Sequence, residues 1–361
     1  MKVQQVVTQE GKPALGVAIF AGLATYAMLA KRRRRQHIGK ASVGQASDER
    51  GRAARSPGEI PRRGWWDIMM RTKDDVSRNN LSLIAAGAAF YGFLAIPSAI
   101  TALVSLYGLM FDPHGVQRQV EALRGLLPDE AIALISQQLQ TLASHSNSTL
   151  GAGLVMSLAL ALWSARSGIS SMITALNIVY GEAEKRGYLR LQLAALGLTA
   201  AAVLSALVAL ALIAVLPAVL SLAPIGGAGK TIAALIRWPI LIALVTVALA
   251  AIYRFAPSRE EPKWRWVSWG AVAATVLWIV ASALFSLYVG RFATYDKSYG
   301  SLGAVVVLLM WLYLSAFVVL FGAQLNAEIE HQTARDSTTG SSRPLGQRGA
   351  LMADTVGARA K

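Results

Sequence analysis

The sequence predicts an all-α, polytopic membrane helix bundle: a six-helix core preceded by an extra N-terminal membrane helix. Three observations predict it. Of the 361 residues, 54% are apolar and only 15% charged, against roughly 25% charged in soluble domains. The apolar residues fall in long charge-free runs, and the basic residues fall between those runs with a regular asymmetry. The abundance of Leu, Ala, Val and Ile excludes a disordered chain. The absence of cysteine excludes a disulfide scaffold, Cys-ligated zinc, iron–sulfur chemistry and thiol catalysis.

Charge-free runs cover 13–30, 81–111, 149–165, 191–229, 238–253, 266–290 and 298–327. About 20 apolar residues span the hydrocarbon core, and the last six runs reach that length when an Arg at one end snorkels. The run 238–253 gains its span by adding 231–236, with Arg237 near the interface. The 39-residue run 191–229 is predicted to end near Leu216, before Pro217 and Pro224, with a loop through Gly226, Gly227 and Gly229. No ten-residue alternation suggests a β-barrel.

The first run, 13–30, is followed at once by Lys31-Arg-Arg-Arg-Arg35. A signal peptide carries its positive charge before the apolar core. A retained anchor is therefore the preferred reading, the alternative being a hydrophobic helix lying on the surface.

Alternate segments between the runs hold 27 and 8 of the 35 basic residues. The positive-inside rule places the richer set in the cytoplasm, which predicts an outside N-terminus and an inside C-terminus. Segment 31–80 alone carries 14 basic and 6 acidic residues, net +8 of the chain's +15. Such a stretch is attracted to anionic lipid headgroups, so membrane lipids are the expected partners of segment 31–63. Nucleic acid is the disfavoured partner, because no aromatics interleave with the basic residues of 31–55 and topology already explains the charge. From Trp65 to Asn80 an interfacial helix is expected, with Trp65 and Trp66 at headgroup level.

The predicted organisation is an anchor helix with its basic stop (1–35), a flexible basic cytoplasmic linker (36–63), a six-helix membrane domain (64–330) and a disordered cytoplasmic tail (331–361). The outer loop 112–148 places Ile132, Ile135, Leu139 and Leu142 on one helical face after Pro128-Asp129. It reads as a helical hairpin, either capping the bundle or packing on the interface.

Apparent motifs fail on inspection. Gly227-Ala-Gly-Lys-Thr231 invites a phosphate-loop reading, but Pro224 stands where that motif needs its first glycine. Asn147-Ser-Thr149 is one sequon-like tripeptide. The four histidines, His37, His114, His145 and His331, are isolated in sequence, and neither a metallohydrolase motif nor a serine elbow occurs. No cofactor, metal or catalytic residue is therefore assigned, and the chain is not expected to be an enzyme.

Polar residues at membrane depth are expensive and mark function. Arg166 opens a series, Ser167, Ser170, Ser171, Thr174 and Asn177, that ends at Tyr180. From Thr149 to Gly181 a helix would run roughly 50 Å, so it either emerges from the membrane or bends near Gly168. Its polar positions read as interhelical hydrogen bonding, with a polar cavity wall as the sharper alternative. Arg291, Asp296, Lys297 and Tyr299 cluster before the last helix, and Gln324, Asn326, Glu328 and Glu330 mark its inner end. Pro97 is expected to kink the first core helix.

These segments resemble the YihY/BrkB family of bacterial membrane proteins, historically labelled ribonuclease BN. The matching stretches are Ala85-Ala-Gly-Ala-Ala-Phe-Tyr91 with Pro97, Ala161-Leu-Trp-Ser-Ala165, Leu176-Asn-Ile-Val-Tyr-Gly181 and Tyr253-Arg-Phe-Ala-Pro257. The most specific is Tyr299-Gly-Ser-Leu-Gly-Ala304, continuing through Trp311-Leu-Tyr-Leu-Ser315 to Leu320-Phe-Gly-Ala-Gln-Leu-Asn326. Many members have an acid shortly before the Ala-Ala stretch, where this chain has Arg78-Asn79-Asn80, and Ser98 follows Pro97 where Leu is frequent.

The resemblance implies a six-helix protein of the bacterial inner membrane without a settled chemistry. The leading functional expectation is a transporter-like or envelope-related factor. A non-catalytic scaffold or lipid-organising protein is the alternative, and a tRNA-processing ribonuclease is disfavoured. A homo-oligomer is compatible with the sequence, which fixes neither substrate nor stoichiometry.

Overall fold

A computed structural model describes residues 48–110, 150–215, 227–291 and 301–359, all within the compact unit Asp48–Lys361. The anchor run 13–30, the first part of the linker, the outer loop 112–148 and Asp296, Lys297 and Tyr299 lie outside these residues.

Every extended element among the described residues is a helix. In chain order these are α1 (Arg62–Arg78), α2 (Leu81–Met110), α3 (Leu150–Val179), α4 (Tyr188–Leu210), α5 (Gly227–Phe255), α6 (Trp264–Arg291), α7 (Ser301–Gln332) and the single turn α8 (Leu351–Asp354). Helices α2–α7 follow the apolar runs and form the bundle, with five membrane-crossing stretches of sufficient length and apolarity among the described residues. Their outward side chains, including Leu83, Leu204, Val247 and Leu284, are exposed and apolar, as a hydrocarbon solvent requires. The protein is an all-α, multi-pass membrane bundle.

Small residues set the helix packing, since lipid offers no hydrophobic drive between helices and close backbone approach must supply the contact. Gly168 of α3 faces Ala95 and Gly92 of α2, where an added Cβ would lie 3.2 Å from the Ala95 Cβ. Gly270 of α6 and Gly322 of α7 meet back to back, and a Cβ on Gly322 would lie 2.6 Å from Ala274 and 2.7 Å from the Gly270 carbonyl. Tyr253 of α5 donates to the Val319 carbonyl of α7 at 2.7 Å, tying a third helix to that pair.

Helix α3 continues as one helix past Gly168 to Val179. Pro97 lies inside α2, which continues to Met110. Helix α4 loosens into a π turn at Ala211–Val215, close to the boundary expected before Pro217. The glycine loop expected at 226–229 is corrected: Gly227 and Gly229 belong to the first turn of α5, which removes the loop a phosphate cradle would need.

Two further expectations are corrected. The second half of the linker, from Asp48, is packed: Ala54 and Ile60 are buried against Trp266, Leu325 and Ile329. The tail is not disordered over 331–359. Arg348, 4% exposed, donates to the carbonyls of Ala334, Arg335, Arg343 and Ala353. The Asp354 carboxylate accepts from the backbone N–H groups of Gly346, Arg348 and Gly349. The tail is ordered by backbone hydrogen bonds to two charged side chains, a mechanism that leaves no apolar periodicity to read.

Candidate functional site

The starts of α2, α4 and α6 and the ends of α3, α5 and α7 meet at one end of the bundle, here termed the basic end. The last turns of α7 are enclosed there by α1, the α5–α6 loop, residues 48–61 and the tail. Gln324, Asn326, Glu328, Glu330 and Gln332 are all buried. Polar side chains so buried must find partners, and these do so in two directions.

On one side, Glu330 accepts from Arg259 Nη1 at 2.6 Å and from the Ser337 hydroxyl. The Arg259 guanidinium lies 4.4 Å from the ring centroid of Tyr180, a stacked cation worth about 2 kcal/mol when desolvated. Burial opposes the Arg259 charge, yet the Glu330 carboxylate outweighs it and raises the guanidinium pKa. Burial also raises the Tyr180 phenol. Among the described residues, Arg259 Nε and Nη2 find no hydrogen-bond partner.

The cluster is held by its neighbours. Asn177 Oδ1 accepts from the Ser258 N–H at 2.7 Å, and Asn177 Nδ2 donates to Glu184 at 2.9 Å. Arg186 holds Glu184 down at about 2 and donates to the Ala256 carbonyl at 2.7 Å. The α3–α4 loop is thereby laced to the loop that carries Arg259. Asn326 accepts from the Gly270 N–H at 2.7 Å and donates to the Val267 carbonyl at 2.9 Å, fixing the start of α6 against α7.

On the opposite side, Glu328 accepts from Arg71 Nε of α1. Arg71 also donates to Gln332 Oε1 at 2.8 Å and to the Ala358 carbonyl at 2.9 Å. Asp75 faces Glu328; burial, reinforced by that neighbouring carboxylate, pushes its carboxyl up to about 6. Arg78 partly offsets this from 2.8 Å. Gln324 bridges Asp75, at 3.4 Å, and Asn79, at 3.3 Å. Asn80 then takes a positive φ of 49° to turn α1 into α2, a conformation Asn tolerates.

Asn177, Tyr180 and Asn326 all lie buried at the basic end, Asn177 bonded to Ser258 and Glu184, Tyr180 against Arg259, and Asn326 bonded to Gly270 and Val267. Ser167, Ser171 and Thr174 each bond to a carbonyl of their own helix, and Ser170 contributes only its carbonyl to Thr174. Among the described residues, these hydroxyl bonds stay within α3. Arg166 stands apart, donating to Gln192 of α4 and lying 4.2 Å over the Trp163 ring; its buried Nε finds no partner among the described residues. Arg259, Arg71 and Ser258 were not singled out from sequence. Their signal was the pair of acids at the end of an otherwise apolar helix, which demands buried cations from elsewhere. Among the described residues, no three of His, Cys, Asp and Glu are placed to hold a metal ion.

The family model described as virulence factor BrkB matches residues 72–345, most of the chain. The chain belongs to the BrkB family. The Bacillus subtilis protein YfkH, whose name calls it ribonuclease-like, is 35% identical over 55% of this chain and 73% of its own length. A UPF0761 membrane protein of Rhodospirillum centenum is 27% identical over 85% of this chain and 66% of its own. One from Idiomarina loihiensis is 37% identical over 26% and 33% respectively. No solved structure matches. The BrkB match takes in Asp75, Asn177, Tyr180, Arg259, Asn326, Glu328 and Glu330. Its two flanks, outside the match, touch each other: Arg52 donates to the Gly357 carbonyl at 2.7 Å and Arg71 to Ala358.

Proposed function

We propose that this BrkB-family chain is a transport-like protein of the bacterial inner membrane, with the basic end in the cytoplasm and closed by the Arg259–Glu330 cluster. The observation that carries this reading is the incomplete hydrogen bonding of a fully buried ion pair where α3, α7 and the α5–α6 loop converge. A buried pair is costly to keep and gains little stability over apolar packing. A pair with spare donors beside a phenol can exchange partners when helices shift, which suits a gate. The orientation rests on the distribution of Lys and Arg among the loops.

The test is flux. Purified protein is reconstituted in liposomes and challenged with a panel of ionic and amphiphilic solutes, alongside Glu330→Gln. Flux above empty liposomes that changes at least severalfold in the variant supports the reading; no flux from either protein rejects it.

A scaffold reading draws on a separate observation, the tail fastened across the basic end where Glu182 accepts from the Leu351 N–H and Arg52 and Arg71 donate to the Gly357 and Ala358 carbonyls. Crosslinking in native membranes that recovers a stable partner through this face would favour it. The ribonuclease-like name belongs to YfkH and is not carried over: His331, the one described histidine, lies 3.5 Å from Glu328, whose carboxylate already holds Arg71.

A further inference from the structure

We propose that the outward face of α1 is a docking surface for anionic phospholipid headgroups at the membrane interface. The inward face of α1 is spent on the bundle, through Asp67, Ile68, Arg71 and Thr72. At 100° per residue, Arg62, Trp66, Met69 and Lys73 share the opposite face. All four are exposed, Trp66 by 61% and Met69 by 43%. Two large apolar side chains thus sit between two cations along this face. No ion pair occupies Arg62 or Lys73 among the described residues, although Glu59 and Asp74 are the acids nearest to each in sequence. Arg63, beside this face, is paired with Glu49 at 2.8 Å.

The level of this face is set by its neighbours. Trp65 lies 5.6 Å from Trp269 of α6. Trp264, five residues earlier on α6, is stacked under Arg254 at 4.7 Å. Trp264 and Trp269 are both about half exposed. Partly exposed tryptophans near the ends of membrane helices mark the boundary between hydrocarbon and headgroups. Helix α1 therefore lies where an amphipathic helix inserts its apolar side chains beneath the headgroups and leaves its cations among them. A zwitterionic surface would satisfy Trp66 and Met69 but offers Arg62 and Lys73 only phosphates already balanced by choline, whereas anionic lipid adds a net negative potential that attracts both cations, so anionic lipid is the occupant. The face is independent of any transport activity.

The chain has no cysteine, so Met69→Cys accepts a single environment-sensitive fluorophore in the full-length protein. The labelled protein is placed in nanodiscs of phosphatidylcholine and of an equal mixture with phosphatidylglycerol, and the lipids retained on purification are counted by native mass spectrometry. The expected result is a blue-shifted label shielded from aqueous quencher, with phosphatidylglycerol retained over phosphatidylcholine. Arg62→Gln with Lys73→Gln should cut that preference severalfold, since each cation near an anionic surface is worth about 1 kcal/mol, or roughly fivefold. Free glycerol phosphate added to phosphatidylcholine discs should not reproduce the shift. A water-exposed label, an unchanged preference in the double variant, or an equal effect of free glycerol phosphate would each overturn the proposal, the first leaving the face to a protein partner.

Discussion

Glu328 and Glu330 stand two positions apart on α7 and hold guanidinium groups from unconnected parts of the chain, Arg71 from α1 and Arg259 from the α5–α6 loop. Two residues on a helix differ by about 200°, so the pair grips both sides of one helix end. Neither arginine is near its partner in sequence. The arrangement adds two ion pairs to the apolar packing of Leu325 and Ile329 against Ile68 and Trp266.

Breaking one grip should be costly. Glu330→Gln leaves Arg259 buried without its counter-charge, and removing one member of a buried pair costs about 3–5 kcal/mol. Thermal unfolding in detergent should show the loss for Glu330→Gln and for Arg259→Met alone. The combined variant should lose much less than the sum, which a double-mutant cycle reads directly.

The Asp75 side gives a pH dependence. Its carboxyl is raised from an ordinary 3.8 to about 6 in the folded protein, so the folded state binds the proton more tightly. Its stabilising contribution is full below about pH 4 and is lost as pH rises through 6. Asp75→Asn should flatten the melting temperature across that window and raise it at neutral pH relative to the parent. A melting temperature in the parent that rises from pH 4 to 6 for this reason would be the wrong sign.

The α6–α7 contact predicts a steric asymmetry among glycines. Gly322→Ala places a Cβ 2.7 Å from the Tyr253 hydroxyl and 2.6 Å from Ala274, and overpacking of this kind costs about 1–3 kcal/mol. Gly197→Ala meets nothing within 4 Å and should be neutral or stabilising by up to ~1 kcal/mol. Melting temperatures and size-exclusion profiles of the two variants decide it.

The tail makes a proteolysis prediction. Arg348→Ala removes a side chain that gathers four backbone carbonyls, and cleavage within 334–358 should accelerate severalfold under limited trypsin or chymotrypsin digestion. Arg348→Lys should restore little, because an ammonium cannot reproduce the planar fork.

The membrane helices were legible because a hydrocarbon solvent writes its requirement as uninterrupted apolar length; the boundaries of α2, α5, α6 and α7 fall within a few residues of charged or turn positions. Asn177, Tyr180 and Asn326 were legible as polar residues in apolar surroundings. Arg259 was not, because in a basic loop it is indistinguishable from a topology signal. Ala54 and Ile60 were hidden for a related reason: two apolar residues in a polar, glycine-containing stretch carry no period. The serines of α3 misled in the other direction, since a hydroxyl can satisfy itself on its own helix.

Residues 346–358 are translated after all six helices of the bundle, yet they complete contacts that begin at Arg52 and Arg71. The helices can insert one by one as they emerge, but the clasp between the two flanks closes only afterwards. Assembly therefore has a built-in last step: a nascent chain can be fully inserted while its basic end is still unfastened, and proofreading proteases would have that interval in which to act.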